Sequence, residues 1–176
     1  MSLQIIEAGD SDLTELAEVA AATFPLACPP SSPVADIAAF IATNLTEAHF
    51  ARYLQDPNRA VFVARQGPIL AYAMLIRGEP TDPEVARAVP LRPTIELSKM
   101  YALPQAHGTG AASALMAAAV DFAVADHARC IWLGVNQENQ RAQRFYAKHG
   151  YTVNGTKTFR LGDRIEHDYV LVRALP

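Results

Sequence analysis

The sequence predicts an α/β (α+β) fold, with short buried strands and helices interleaved along one chain. Two observations carry this. Apolar runs of strand length recur at Val61 to Arg65, Ile69 to Ile76, Ile95 to Leu103 and Cys130 to Val135. Segments of helical period or composition lie between them, with Gly, Pro, Asn and Asp at the junctions. With 176 residues and 51% hydrophobic content, the chain suits one well-buried domain, expected over residues 1–176, and is too short for two ordinary ones.

Leu3 to Ile6 alternate as a short first strand. Gly9, Asp10 and Ser11 supply turn and cap chemistry for a helix from Asp12, with Leu13, Leu16, Val19 and Ala20 on one face. That helix is expected to end near Phe24-Pro25, and the proline-rich segment Leu26 to Pro33 to form an irregular surface loop. Two short helices follow, Val34 to Thr43 and Glu47 to Gln55, the second capped by Thr46. Val61 to Arg65 and Ile69 to Ile76 read as a hairpin across Gln66-Gly67-Pro68. Gly78 to Pro93 holds four prolines and is expected to be a loop with a helical turn near Glu84 to Ala88. Its length fits either the border of a site or a solvent-exposed insertion.

The stretch from Thr94 to Ser113 organises the rest. Ile95, Leu97 and Met100 to Leu103 make a strand buried partly on both faces, and Pro104 ends it. His107-Gly108-Thr109-Gly110 then turns into an alanine-rich helix from Ala111 to Asp126. Beyond it lie a buried strand from Cys130 to Val135 and a helix from Asn139 to His149, closed by Gly150. Strands from Tyr151 to Lys157 and Glu166 to Arg173 finish the chain, paired across Leu161-Gly162-Asp163.

Composition excludes several classes. A net charge of −3 gives no electrostatic case for nucleic acid or an anionic membrane. No apolar run reaches membrane-spanning length, and the N-terminus lacks a basic region followed by an apolar core, so the cytoplasm is the expected compartment. Cys28 and Cys130 lack metal-ligand spacing, and the five histidines do not cluster. No metal is expected, and Cys130 reads as a core thiol. Ser98 and Ser113 have no base partner at a distance that the sequence allows one to infer, which leaves a serine hydrolase unsupported.

The turn from His107 to Ser113 carries the chemistry. A strand feeding a helix through small residues aims several free N–H groups at one spot, at the positive end of a helix dipole, which suits a phosphate. Gly110 is followed by Ala111-Ala112 and not the Lys-Ser/Thr pair of a Walker loop. A dinucleotide turn would put Ser113 at its third glycine position and lies too late in the chain. A second block pairs Asn139 with Tyr146 seven residues later, then Gly150-Tyr151.

Together these blocks resemble the GNAT family, the GCN5-related N-acetyltransferases. The family's coenzyme signature, Arg/Gln-x-x-Gly-x-Gly/Ala, reads His107-x-x-Gly110-x-Ala112 here, with His107 in place of Arg or Gln. The similarity spans nearly the whole chain. It is closest to a bacterial branch that includes polyamine (spermidine/spermine) N-acetyltransferases, through Ile131 to Val135, the Glu96-to-Tyr101 spacing, and Thr158 to Asp163 leading to Asp168. The resemblance implies a GNAT fold: a mixed, mostly antiparallel twisted sheet of about six or seven strands, helices on both faces, and a central strand splayed at the acetyl-CoA site.

It also implies roles. Acetyl-CoA would be the cosubstrate, held by Met100, Tyr101 and Ala102 on the central strand, by His107, Gly108, Thr109, Gly110, Ala111, Ala112 and Ser113 around the pyrophosphate, by Asn139 along the pantetheine arm, and by Tyr146 at the sulfur. Tyr146 would be the general acid for the departing thiolate. Some members carry a glutamate base where this chain has Gly134; others carry one four residues before the first coenzyme contact, which is Glu96 here. Glu96 is expected to act through water, the alternative being a solvent-facing carboxylate or one paired with Lys99 or Arg92. Arg141 would either face solvent or meet the coenzyme's 3′-phosphate. The acceptor is expected to be a primary amine of a small molecule, polyamine-like or other, although Cys28 to Phe50 offers only Asp36 and Glu47 as acids. A peptide N-terminus as acceptor, or a non-catalytic acyl-CoA-binding module, are the alternatives. A C-terminal edge strand would support a homodimer.

Overall fold

The computed structural model describes residues 1–176. Strands β1 (Gln4–Glu7), β2 (Arg59–Arg65), β3 (Ile69–Arg77), β4 (Thr94–Ala102), β5 (Cys130–Asn136), β6 (Thr152–Leu161) and β7 (Arg164–Ala174) form one sheet. Their order is β1-β2-β3-β4-β5-β7-β6. Every neighbouring pair is antiparallel except β4 and β5, which are parallel. Six α-helices accompany the sheet: α1 (Leu13–Ala27), α2 (Val34–Asn44), α3 (Glu47–Gln55), α4 (Pro83–Ala88), α5 (Ala111–Ala125) and α6 (Gln140–Lys148).

The period of two along each strand sorts side chains between the sheet's faces. On β3, Ala71, Ala73 and Leu75 join the core under α5, while Tyr72 and Met74 join the core under α1 and α3. That double burial is why these strands appear in the sequence as continuous apolar runs. On β5, Ile131, Leu133 and Val135 pack with α5 and with Tyr146 of α6, whereas Cys130 and Trp132 meet Val85 and Ala88 of α4. Cys130 is a core thiol, 3.1 Å from Thr94 Oγ1.

Helix α1 does not stop at Phe24-Pro25 as expected; it continues to Ala27. Pro25 sits in the last turn, where it removes a single N–H. Packing holds that turn: Phe24 stacks on Phe40 of α2 with centroids 4.4 Å apart, and Thr23 Oγ1 donates to the Val19 carbonyl at 2.7 Å. The final hairpin is also longer than expected. β6 and β7 pair as far as Leu161 opposite Arg164, so only Gly162 and Asp163 make the turn, with Gly162 at φ +60°. Segment 78–93 is anchored through α4. Asn154 Nδ2 donates to the Ala88 carbonyl at 3.2 Å, and a Cβ at Gly155 would lie 2.7 Å from Ala88 Cβ.

Helix α3 begins where the sequence places it, because the Thr46 side chain accepts from the His49 N–H. Thr46→Ala is expected to cost about 1 kcal/mol, read as a lower urea midpoint with an unchanged slope. No helix is long and apolar enough to cross a membrane.

The feature that creates the site lies between β4 and β5. They pair only from Thr94 to Glu96 against Cys130 to Trp132, although β4 runs on to Ala102 and β5 to Asn136. Ser98 is an extra residue in β4, since Leu75 faces Leu97 and Met74 faces Lys99. This bulge bends the strand and lets the two wings diverge.

Candidate active site

The gap between the diverging strands opens into a cavity of about 680 Å³. Eight of the expected site residues line it: Glu96, Met100, Tyr101, Ala102, His107, Ala112, Asn139 and Tyr146. Gly108, Thr109, Gly110, Ala111 and Ser113 belong to the adjoining turn and the first turn of α5, and do not line the cavity themselves.

Gly108 and Gly110 both adopt left-handed backbone, φ +79° and +82°, which an L side chain disfavours. With the chain turned this way, the N–H groups of Gly108, Gly110, Ala112 and Ser113 donate to no protein acceptor, while the Ala111 N–H meets Thr109 Oγ1 at 3.2 Å. These donors stand at the N-terminus of a 15-residue helix, an arrangement that can take a phosphate. Arg141 Nη2 lies 2.6 Å from Nε2 and 2.9 Å from Nδ1 of His107. A guanidinium thus stands beside the turn although residue 107 is not itself an arginine. Gly110→Ala is expected to weaken acetyl-CoA binding about tenfold, because about 1–2 kcal/mol of backbone strain must be absorbed or the turn rearranged; isothermal titration of acetyl-CoA checks it.

Asn139 is the N-cap of α6 and not its first helical residue, its Oδ1 accepting from the Ala142 N–H at 3.1 Å. The amide nitrogen has no protein partner, and Asn139 lines the cavity. Tyr146 is buried on α6 between Phe145 and Tyr151. Burial, then the neighbouring Tyr101 and Tyr151, push its phenol well above the usual range, so it keeps its proton at any working pH. Tyr101, on the other wing, is pushed up to about 12, first by burial and then by Cys28 and Asp168.

Burial raises the Glu96 carboxyl above the usual carboxylate range, and Lys157, Lys99 and Arg59 pull it partway back. It is half-buried and does not pair with Arg92, which meets Glu79 instead. Glu96 also lines a second cavity of about 340 Å³, walled by Arg77, Glu79, Thr81 and Asp82 among others. The segment after β3 therefore borders a cavity that reaches Glu96 from the other side.

The end of the main cavity walled by the last hairpin holds groups that sequence reasoning missed. Lys157, Phe159 and Leu161 of β6 and Glu166 and Asp168 of β7 line it, together with Phe24, Cys28 and Phe40 from α1, the loop after it, and α2. Lys157 Nζ lies 3.4 Å from Asp168 Oδ2. Burial raises Asp168, against the pull of Lys157. The Cys28 thiol is pushed up to about 11 by burial and then by Glu166, which keeps it a weak nucleophile. A Cβ at Gly134 would fall 2.4 Å from Lys157 Cε and 3.3 Å from Asp168 Oδ2. The bare glycine is what admits this pair. The signal available in the sequence was the alternation of Lys157, Phe159 and Leu161 with Glu166 and Asp168, which places all five on one face of a hairpin.

Comparisons with known proteins agree with this geometry. The sequence profile of the acetyltransferase (GNAT) family matches residues 20–151. A protein of Mycobacterium tuberculosis, named as an uncharacterised N-acetyltransferase, is 55% identical over 166 residues, spanning 94% of this chain and 99% of that one. Among solved structures, the PaiA N-acetyltransferase of Thermoplasma acidophilum in complex with coenzyme A superposes with a TM-score of 0.77 at 17% identity, over 99% of both chains. The ribosomal-protein-S18-alanine N-acetyltransferase of Escherichia coli gives 0.67 at 17% identity, over 98% of this chain and 94% of that one. At such identities the two structures share the fold, a seven-stranded open sheet with helices, and nothing finer.

Proposed function

This chain belongs to the GNAT acetyltransferase family and is an acetyl-CoA-dependent acetyltransferase; on that premise we propose that it acetylates a primary amine of a small molecule by direct transfer, with Glu96 as a base acting through water and Tyr146 as the acid. The observation that carries this reading is the early divergence of β4 from β5 beside a turn with unpaired N–H groups. From Leu97 to Ala102 the edge of β4 that faces β5 has no strand partner. Backbone donors are therefore available there for the pantetheine arm and the acyl oxygen, with Met100 to Ala102 the assigned residues.

The residues present fit acetyl-CoA. The Gly108 to Ser113 turn offers N–H groups and a helix dipole to the pyrophosphate, the Arg141–His107 pair adds positive charge at that margin, and the Asn139 amide lies along the way inward. The coenzyme supplies an acetyl thioester. This chain's residues then exclude water, orient the acyl oxygen and move two protons. Burial disfavours the charged form of Glu96, so a carboxylate there gains by accepting a proton from the amine through water. Tyr146 is protonated and lines the cavity, and it is assigned the proton that the leaving sulfur takes as its negative charge develops. A panel of amines, from simple alkylamines to amino acids and short peptides, each incubated with acetyl-CoA and assayed for free thiol, tests the proposal. Turnover on small amines supports it, and turnover confined to peptides would overturn the choice of acceptor.

A further inference from the structure

Two rungs of the β6–β7 hairpin face the main cavity, Phe159 opposite Glu166 and Lys157 opposite Asp168, and Leu161 lines it beside them. Two carboxylates thus stand on successive inward positions of one strand, about 7 Å apart along it. Both are buried, with exposures of 6% for Glu166 and 8% for Asp168. Glu166 Oε1 is shielded from solvent and has no hydrogen-bond partner. The cation closest to it, Arg164 Nε, is 3.7 Å away and belongs to a guanidinium already bonded to the Ser31 carbonyl at 2.7 Å. A buried carboxylate left this way is costly unless something cationic completes it.

The cavity already shows what such a cation looks like. Lys157 carries a primary ammonium on an alkyl stem, and that stem crosses bare Gly134 to reach Asp168. We propose that Asp168 and Glu166 seat the acceptor as its alkylammonium, and that Lys157 is the internal counter-ion which the acceptor displaces. This rests on the transferase reading for its purpose, though not for its test. The seat sits among Glu96, Lys99 and Tyr101 of β4 and Cys28 beside α1, all lining the same cavity. Glu166 and Asp168 stand side by side on the wall that takes the ammonium, and a carboxylate beside the acceptor's amine would be brought against both of them. The favoured class is therefore an alkyl primary amine without an acidic group, and α-amino acids are disfavoured. Phe24, Phe40 and Phe159, in contact through centroids at 4.4 and 5.6 Å, receive the acceptor's hydrocarbon part.

Calorimetric titration of hexylamine into the protein saturated with coenzyme A, at pH 8, reads the seat without requiring turnover. Asp168→Asn is expected to weaken hexylamine about 10- to 100-fold, the range for a charged hydrogen bond lost at a buried site, with coenzyme A affinity kept as the check on folding. Lys157→Met, which retains the stem over Gly134, is expected to tighten hexylamine severalfold. The ω-amino acid of the same chain length is expected to bind more weakly than hexylamine to the native protein. Asp168→Asn without effect, a weaker Lys157→Met complex, or no hexylamine binding at all would each overturn the proposal. Thiol release measured alongside separates it from the transferase reading: binding at Asp168 without release contradicts only the latter, and release indifferent to Asp168→Asn contradicts only the former.

Discussion

Tyr146→Phe slows acetyl transfer about 100- to 1,000-fold, the range for loss of a positioned general acid, while acetyl-CoA binds nearly as before. The expectation follows from burial. The phenol sits against Phe145 and Tyr151 with its pKa driven upward, so it is protonated throughout the accessible pH range and its hydroxyl is a hydrogen-bond donor where the sulfur leaves. Phenylalanine keeps the ring packing under α6 and removes only the hydroxyl, which separates chemistry from stability. Single-turnover rates with saturating acetyl-CoA, set beside a calorimetric binding constant, give the split. An unchanged rate would remove Tyr146 from the acid role.

Glu96→Gln lowers the rate near neutral pH by about 100-fold and moves the pH–rate profile toward higher pH. The sign is fixed by which form works. A base must be ionised, and burial raises the Glu96 pKa, so activity of the native protein climbs as pH rises through a value above the ordinary carboxylate range. Glutamine removes that limb. Attack then relies on the fraction of amine already neutral in solution, which grows only toward the amine's own, higher pKa. A profile that does not move would take the base role from Glu96 and pass it to another cavity carboxylate, of which Asp168 is the obvious heir.

Much of the fold was legible because β3 and β5 are buried on both faces and therefore read as near-continuous apolar runs, and because Thr46, Gly110 and Gly150 mark helix ends by local chemistry. Helix α1 ran past its expected end because the cost of Pro25 is local, whereas the Phe24–Phe40 stack that outweighs it joins residues 16 positions apart. Asn139 was recognised, but its place as a cap depends on a side-chain bond to Ala142 that spacing alone does not distinguish from helical membership. The residues proposed for the coenzyme and its chemistry lie on two continuous stretches, 96–113 and 139–146, and motifs can be read there.

The residues proposed to meet the acceptor are different. Counting acids from Cys28 to Phe50 suggested a cavity poor in carboxylates, yet the structure lines it with Glu96, Glu166 and Asp168, carried by strands rather than by the helices over them. Gly134 likewise reads in sequence as the absence of a glutamate. In three dimensions it is the space through which Lys157 reaches Asp168. Such complementarity between a missing side chain on one strand and a long one two strands away in the sheet leaves no local pattern.

The central claim is acetyl transfer from acetyl-CoA to a small primary amine, and release of free thiol across a panel of amines tests it most directly. The structure predicts thiol release with alkyl primary amines, dependent on both Tyr146 and Glu96. Silence across the panel, while acetyl-CoA still binds, would contradict it.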